Sequence, residues 1–394
     1  MLVKHLTLAS FRNYGTLEVA FEPGINLIIG PNGQGKTNLV EAVRYLSVLS
    51  SHRVAGYQPL INSKAASAIV RAMVSSEERD VLLEIELNRE GKNKARVNKA
   101  DLPRIRDIIG IVQSVTFAPE DIDIVRRDPT NRRDFIDELV VQHRPRMAGV
   151  YADYERVLKQ RNALLKSAKI TKTTGSALST LDAWDASLVQ YGTEIVSARL
   201  NITELLQPHL FDAYQKIATA NNEPRLVYRS SLLVDAAGLL NDSPDVSEDL
   251  AAATTLETLD RDAIASMFAA KLAEIRPKEL ERGITLAGPQ RDDIVLMLGD
   301  LPAKGYASHG EMWSYALALR LASIELLKTE SRTGDPILIL DDVFAELDAG
   351  RRLRLAELIA NNEQVLITAA AEEDVPVILT ATRFAVKQAV VTRI

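Results

Sequence analysis

The 394-residue chain contains no cysteine and only five histidines, scattered along its length. That excludes a disulfide framework and any thiolate or imidazole metal cluster, so a metal used here is expected to be hard and oxygen-ligated. Long apolar runs are missing as well. No stretch approaches the roughly 18 uninterrupted apolar residues of a membrane span, and the opening MLVKHLTLASFRNYG has no continuous apolar core of the signal-peptide kind. A cytoplasmic address with no membrane partner is the expectation. Nor is there an excess of positive charge: 47 basic against 53 acidic residues leave a formal net charge of -6. That balance argues against coating of DNA through overall charge, and any binding to nucleic acid would have to be local.

Local candidates exist. Arg89 to Arg106 carries seven basic residues (Arg89, Lys92, Lys94, Arg96, Lys99, Arg104, Arg106) against Glu90 and Asp101. A second group is formed by Arg126, Arg127, Arg132 and Arg133, followed by Arg144 and Arg146. A charge run of this kind also reads as an ordinary solvated face.

With 46% hydrophobic residues, the chain can build one large core and a second, smaller domain. The first part reads as strands: the alternation LVKHLTLASF, Leu17 to Phe21, the apolar run Ile25 to Ile29, then Ala68 to Val74, Val81 to Leu87 and Ile111 to Phe117. Lys36 to Leu49 has helical spacing. From about Arg132 to Ala218 the pattern is helical and charged, broken by a turn-like stretch at Lys172 to Ser179. Asp235 to Asp262 is acidic, poor in aromatics and expected to be a flexible surface insertion. A helix from Ala263 to Leu280 follows. Strands at Ile294 to Leu298, Ile337 to Leu340 and Gln364 to Thr368 then alternate with helices at Met312 to Leu327 and Arg351 to Ile359. The expected organisation is an α/β nucleotide-binding domain made from residues 1–125 and 280–394, with a helical lid or arm inserted at 126–279.

Gly30-Pro31-Asn32-Gly33-Gln34-Gly35-Lys36-Thr37 matches G-x-x-x-x-G-K-[ST] in full, after an apolar strand and before a helix. Its glycines let successive backbone N–H groups point at phosphate oxygens, and the helix start adds its positive dipole end. Lys36 is expected to reach the β and γ phosphates of ATP and the Thr37 hydroxyl to ligate Mg²⁺. Ile337-Leu338-Ile339-Leu340-Asp341-Asp342 is an apolar strand ending in two acids, where a carboxylate can face the nucleotide. Asp341 is expected to hold Mg²⁺ through its water shell. Asp342 is expected to orient or polarise the attacking water, and its short side chain suggests slow turnover suited to a timed switch.

Ser308-His309-Gly310-Glu311 opens an amphipathic stretch shortly before the acidic strand. Alone, Ser308 reads as a helix cap. In the order phosphate loop, S-x-G at a helix start, acidic strand, then Glu346-Leu347-Asp348, the chain resembles the ABC ATPases. That resemblance implies that Ser308 and Gly310 cap the γ phosphate held by a partner subunit, so ATP sits between two copies of the chain.

More closely, the chain resembles the RecF family from end to end. The residues that carry this are Leu8, Phe11, Arg12, Asn13 and Tyr14, the GPNGQGKTN loop, Phe117-Ala118-Pro119-Glu120-Asp121, Arg132-Arg133-Asp134-Phe135-Ile136-Asp137, Gly288-Pro289-Gln290-Arg291-Asp292-Asp293, and Asp341 to Asp348. The resemblance implies an ABC ATPase head (a P-loop NTPase with a mixed sheet) like those of SMC proteins without a long coiled coil. It implies an ATP-dependent homodimer with weak, DNA-dependent hydrolysis. It also implies binding to double-stranded DNA and single-strand gap junctions in DNA repair and replication, with RecO and RecR as partners in loading RecA. Arg12 matches an arginine that contacts nucleotide phosphate in such heads, although beside a turn it also reads as a surface residue.

Three positions depart from the wider ABC pattern. Thr368 stands where transporter ATPases carry a switch histidine, and His309 stands where a glycine or basic residue is common and reads as a loop residue. Gln113 is one candidate for the glutamine that senses Mg²⁺, although it precedes a strand instead of following one. A transporter nucleotide-binding subunit is the alternative reading, opposed by the basic strip, the missing histidine and the long helical insertion. A scaffold that binds ATP merely to fold is a further rival, distinguished by a lack of DNA-stimulated turnover.

Overall fold

The structure, a computed structural model, describes residues 1–76, 79–171, 179–218, 222–234, 259–331 and 334–394. Its centre is a six-stranded sheet in the order β15-β14-β3-β13-β12-β8. Strands β3 (Gly24–Ile29), β8 (Ser114–Phe117), β12 (Ile337–Asp341), β13 (Gln364–Ala369) and β14 (Ala381–Lys387) run parallel, and only β15 (Val390–Arg393) is antiparallel. Every residue of β12 and β13 is buried. A central parallel strand is covered on both faces, which is why ILILD and QVLITA read as continuous apolar runs.

One face of this sheet packs on α1 (Lys36–Val48), through Ile28, Ile337, Ile339 and Leu366 against Leu39, Val43 and Leu46. Beyond α1 lies an antiparallel sheet, β2-β1-β4-β5-β6-β7, made of β1 (Leu2–Phe11), β2 (Tyr14–Ala20), β4 (Ser67–Ser76), β5 (Arg79–Asn88), β6 (Lys94–Val97) and β7 (Ala100–Asp101). Only one of its faces meets the core, and β4 accordingly alternates buried with half-buried or exposed positions.

The other face of the central sheet carries helices: α2 (Ile122–Arg126), α3 (Pro129–His143), α4 (Met147–Thr171), the 39-residue α5 (Ser179–Ile217), α6 (Arg261–Arg282), α7 (His309–Glu330) and α8 (Ala349–Ile359). At 1.5 Å per residue, α5 is about 58 Å long, and it packs on α4, α6 and α7. Within the segment expected to be a helical insert, β9 (Pro224–Arg229) pairs antiparallel with β10 (Asp293–Leu298), and β11 (Leu301–Pro302) completes a small third sheet. The turn-like stretch at 172–178 and residues 235–258 of the acidic segment lie outside the described residues.

Two hairpins have no counterpart in the sequence reading. The β6–β7 turn places Asn98 (φ 51) and Lys99 (φ 70) in the left-handed region, and the β14–β15 turn does the same with Gln388 (φ 51) and Ala389 (φ 58). Such turns are ordinarily signalled by Asn-Gly or Asp-Gly, and neither pair offers that signal. Among the described residues no helix is long and apolar enough to cross a membrane.

Candidate nucleotide site

In a parallel sheet the strand C-termini share one edge, and the loop between β3 and α1 lies on it. Two of its glycines are required by close approach. A Cβ on Gly30 would lie 2.2 Å from the Val386 carbonyl oxygen of β14. Gly35 has φ +120, and a Cβ there would lie 2.8 Å from Tyr14 Oη and 2.9 Å from Asn13 Nδ2. The Tyr14 hydroxyl donates to the Gly35 carbonyl (3.0 Å) and Asn13 Nδ2 to that of Gln34 (3.2 Å). Burial holds the Tyr14 phenol well above its usual pKa, so it remains a neutral donor. From the opposite side, the N–H groups of Gln388 and Ala389 donate to Gln34 Oε1 (2.7 Å) and O (3.1 Å). The loop is thus clamped between the F-R-N-Y turn and the β14–β15 turn.

Lys36 is only 3% exposed, with its ammonium donating to the Gly30 carbonyl at 2.7 Å. The first turn of α1 has no acidic residue and its start has no side-chain cap, which leaves N–H groups and a positive dipole end for an anion. Thr37 Oγ1 donates to Asp341 Oδ1 at 3.0 Å, across 304 residues of sequence. Thr368, opposite Asp341 in the β12–β13 register, donates its hydroxyl to the same oxygen at 2.6 Å and accepts from Asp342 N–H at 2.9 Å. The Thr37 and Asp341 oxygens are a donor set that fits a hard cation. No three His, Asp or Glu side chains form a metal cluster among the described residues, so the set suits an ion that arrives with phosphate and keeps its waters.

Asp342 adopts the left-handed conformation (φ 54). Burial, joined by the charges of Asp341, Asp374 and Glu120, raises its carboxyl pKa against the pull of Lys36. Glu120 and Asp374 were not singled out as site residues from sequence. Glu120 lies three residues beyond the end of β8, inside the F-A-P-E-D block.

Ser308, His309 and Gly310 start α7 at the surface. Ser308 caps that helix, with its hydroxyl accepting from Glu311 N–H (3.3 Å) and its own N–H donating to Glu311 Oε2 (2.8 Å). His309 Nε2 accepts from Trp313 Nε1 at 3.0 Å. A Cβ on Gly310 would lie 2.9 Å from Arg351 Nη2 at the start of α8. Among the described residues no hydrogen bond or ion pair joins Ser308 or Gly310 to residues 30–37 or to Asp341 and Asp342.

Arg12 and Gln113 make their hydrogen bonds away from residues 30–37. Arg12 directs its guanidinium to the fully buried Glu41 of α1, with Nε and Nη2 at 2.7 and 2.6 Å, because a carboxylate there requires a charged partner. It braces the helix behind the loop and has no hydrogen bond to residues 30–37. Gln113 sits at the start of β8, where its carbonyl accepts from Ile337 N–H and its side chain donates to Gln142 O (2.9 Å). Ile337 begins the strand that Asp341 ends, so Gln113 lies at the edge of the sheet opposite the loop.

The second basic group is divided: Arg126, Arg127, Arg144 and Arg146 are exposed, whereas Arg132 is buried and Arg133 half-buried. Arg132 forms a bidentate pair with Asp293 (2.7 and 2.9 Å), Arg133 donates to the Asp292 carbonyl (2.7 Å), and Arg199 bridges Asp137 and the Pro289 carbonyl. The R-R-D-F-I-D and G-P-Q-R-D-D blocks therefore meet each other. In the first strip, Arg96 pairs with Glu84, Glu86 and Asp101, and Arg89 donates to the Ala65, Ile61 and Asn62 carbonyls. Lys92, Lys94, Lys99 and Arg104 stay exposed around the β6–β7 hairpin.

A phosphate loop and an acidic strand end side by side on a parallel edge, backed by an antiparallel sheet and faced by long helices, define the ATPase heads of the SMC type. The RecF/RecN/SMC N terminal domain family matches residues 2–391. A relative from Streptomyces avermitilis, a DNA replication and repair protein RecF, is 50% identical over 397 residues, covering 100% of each chain. The solved structure of the recombination mediator protein RecF-ATP in the RecFOR pathway matches with a TM-score of 0.84 at 27% identity, over 100% of this chain and 99% of the other. The Smc head bound to the C-winged helix domain of ScpA shares the fold, with a TM-score of 0.54 at 16% identity and 100% and 97% covered. The chain belongs to the RecF family.

Proposed function

We propose that this protein is an ATP-driven DNA-binding switch that acts as a recombination mediator. The observation that carries the reading is the meeting of Thr37 and Asp341 beside the Lys36 loop. Lys36 and the N–H groups of residues 30–37 bind the β and γ phosphates of ATP, and Thr37 and Asp341 hold Mg²⁺. Mg²⁺, when bound, neutralises charge developing on the phosphate oxygens. Asp342, with its raised proton affinity, accepts hydrogen bonding from the attacking water and polarises it. Its reach is shorter than a glutamate's, and turnover is slow.

Ser308, exposed, and Gly310, half-buried, are remote in bonding from the loop of their own chain and serve a second copy. They cap its γ phosphate from a helix start, so ATP closes a homodimer. Residues 1–125 and 280–394 form the nucleotide-binding domain, and 126–279 the arm. Lys92, Lys94, Lys99 and Arg104 contact phosphates of duplex DNA or gap junctions without reading bases. The names of its relatives, a DNA replication and repair protein and a recombination mediator of the RecFOR pathway, support a role in DNA repair and replication beside RecO and RecR.

Sedimentation with ATP–Mg²⁺ and with ADP–Mg²⁺, each with and without duplex, tests this reading. A dimer is expected with ATP, favoured further by DNA. A monomer in ATP, Mg²⁺ and duplex together overturns it.

A further inference from the structure

We propose that His52 is a positioning residue of the metal half of this site, holding the second oxygen of Asp341. The inference rests on the reading that Asp341 serves Mg²⁺. Oδ1 of Asp341 is taken by the hydroxyls of Thr37 (3.0 Å) and Thr368 (2.6 Å). Oδ2 faces His52 Nε2 at 3.4 Å, with the two side chains 10% and 5% exposed. No side chain or N–H hydrogen-bonds to Oδ2 among the described residues, and His52 is the group that faces it.

The chain path brings His52 there. After α1, Leu49 takes a left-handed cap (φ 54) that reverses the chain. Ser51 then donates to Glu41, and Arg53 Nη1 reaches Asn38 Oδ1 at 2.9 Å, one residue past Thr37. Residues 49–53 are in this way drawn back along α1 toward its start, and His52 enters beside Asp341.

Neither ring nitrogen of His52 has a hydrogen-bond partner. A buried polar group without a partner is unfavourable, and an apolar side chain would fill the space better if filling were all that mattered. An imidazole kept buried, unpaired and facing a ligand carboxylate has the geometry of an outer-shell group that orients a metal ligand. It also answers the departure at Thr368. The β13 strand supplies no imidazole, and its threonine hydroxyl is already committed to Asp341 and to Asp342 N–H. His52 approaches the same carboxylate at its other oxygen.

The test is calorimetric binding of ATP to the full chain across a range of Mg²⁺ concentrations and in chelator, for wild type, His52→Ala, His52→Asn and His52→Gln. A glutamine amide nitrogen falls close to the Nε2 position, whereas that of asparagine mimics Nδ1. His52→Ala and His52→Asn are expected to need about 10- to 100-fold more Mg²⁺ for half-maximal enhancement of ATP binding, as is typical when an outer-shell partner is lost. His52→Gln should restore most of the enhancement, and affinity in chelator, carried by Lys36 and the loop, should be the same in all four. Equal Mg²⁺ dependence throughout, failure of Gln to rescue, or a parallel fall of affinity in chelator overturns the proposal. Failure of the underlying reading looks different, because wild-type ATP binding would then ignore Mg²⁺ altogether.

Discussion

Arg132→Ala should destabilise the folded chain by about 3–5 kcal/mol, the usual consequence of removing one partner from a buried ion pair. Arg132 is 5% exposed and the Asp293 side chain 13%, so neither charge is well solvated. Besides its two contacts to Asp293 at 2.7 and 2.9 Å, the guanidinium donates to the Arg127 carbonyl at 2.9 Å. Alanine leaves a largely buried carboxylate with the Ile294 N–H and the nearby Arg133 charge in place of its bidentate partner, and a carbonyl without its donor. Against a total stability of about 5–15 kcal/mol, that is a large fraction. Urea unfolding followed by circular dichroism measures the loss as a lower midpoint with little change in slope. Arg132→Met combined with Asp293→Asn should lose less than the sum of the single changes, because no unpaired charge remains. DNA affinity of the folded Arg132→Ala protein should be unchanged. An unaltered urea midpoint together with weakened DNA binding would refute the reasoning, since Arg132 would then face the nucleic acid, as its place in a run of arginines suggests.

Lys99→Ala, at the exposed β6–β7 turn, should do the opposite: weaken binding uniformly across DNA sequences and lower the salt-dependence slope by about 1, with stability unchanged. Gly35→Ala places a methyl group 2.8 Å from Tyr14 Oη at φ +120 and should cost about 1–3 kcal/mol in backbone strain alone. ATP affinity by calorimetry should fall with it, and Tyr14→Phe should relieve only the steric part. The carboxyl pKa of Asp342 is raised in the folded chain. Its stabilising contribution is thus fully present below the ordinary carboxylate value and is lost as pH rises through the raised one. Asp342→Asn should therefore melt above wild type at neutral pH, with the difference vanishing as pH falls toward 3.8, while ATP hydrolysis is lost. Lys36→Ala and Ser308→Arg, each inactive alone, should together regain part of the ATPase when mixed, because a mixed dimer holds one site with both lesions and one with neither. Demonstrated mixed dimers without recovery would count against a shared site.

The legible parts of the site are those in which consecutive residues specify both geometry and chemistry. The phosphate loop was readable because Gly33, Gly35, Lys36 and Thr37 fall within one short stretch between an apolar run and a helical one. The end of β12 was readable because a fully buried strand needs an unbroken apolar run, and two acids mark where it emerges. The Asn98-Lys99 and Gln388-Ala389 hairpins were not, since their left-handed residues carry no glycine. The arginines illustrate the limit of composition. Arg96, Arg132 and Lys99 contribute identically to a charge count, yet the first two are consumed by carboxylates from other strands, and only the third faces solvent.

By itself the sequence determined the order of motifs, the family and the local anion-binding geometry, because short-range sterics and hydrogen bonding at glycines and helix starts depend on neighbours a few residues apart. Only the tertiary structure decided that Thr37 meets Asp341, that Arg12 is held by Glu41, that the R-R-D-F-I-D and G-P-Q-R-D-D blocks neutralise one another, and that His52 turns back beside the acidic strand. Each of these depends on which side chains the packing of sheet and helix brings within about 3 Å, where hydrogen bonds form, and sequence separation carries no information about that distance.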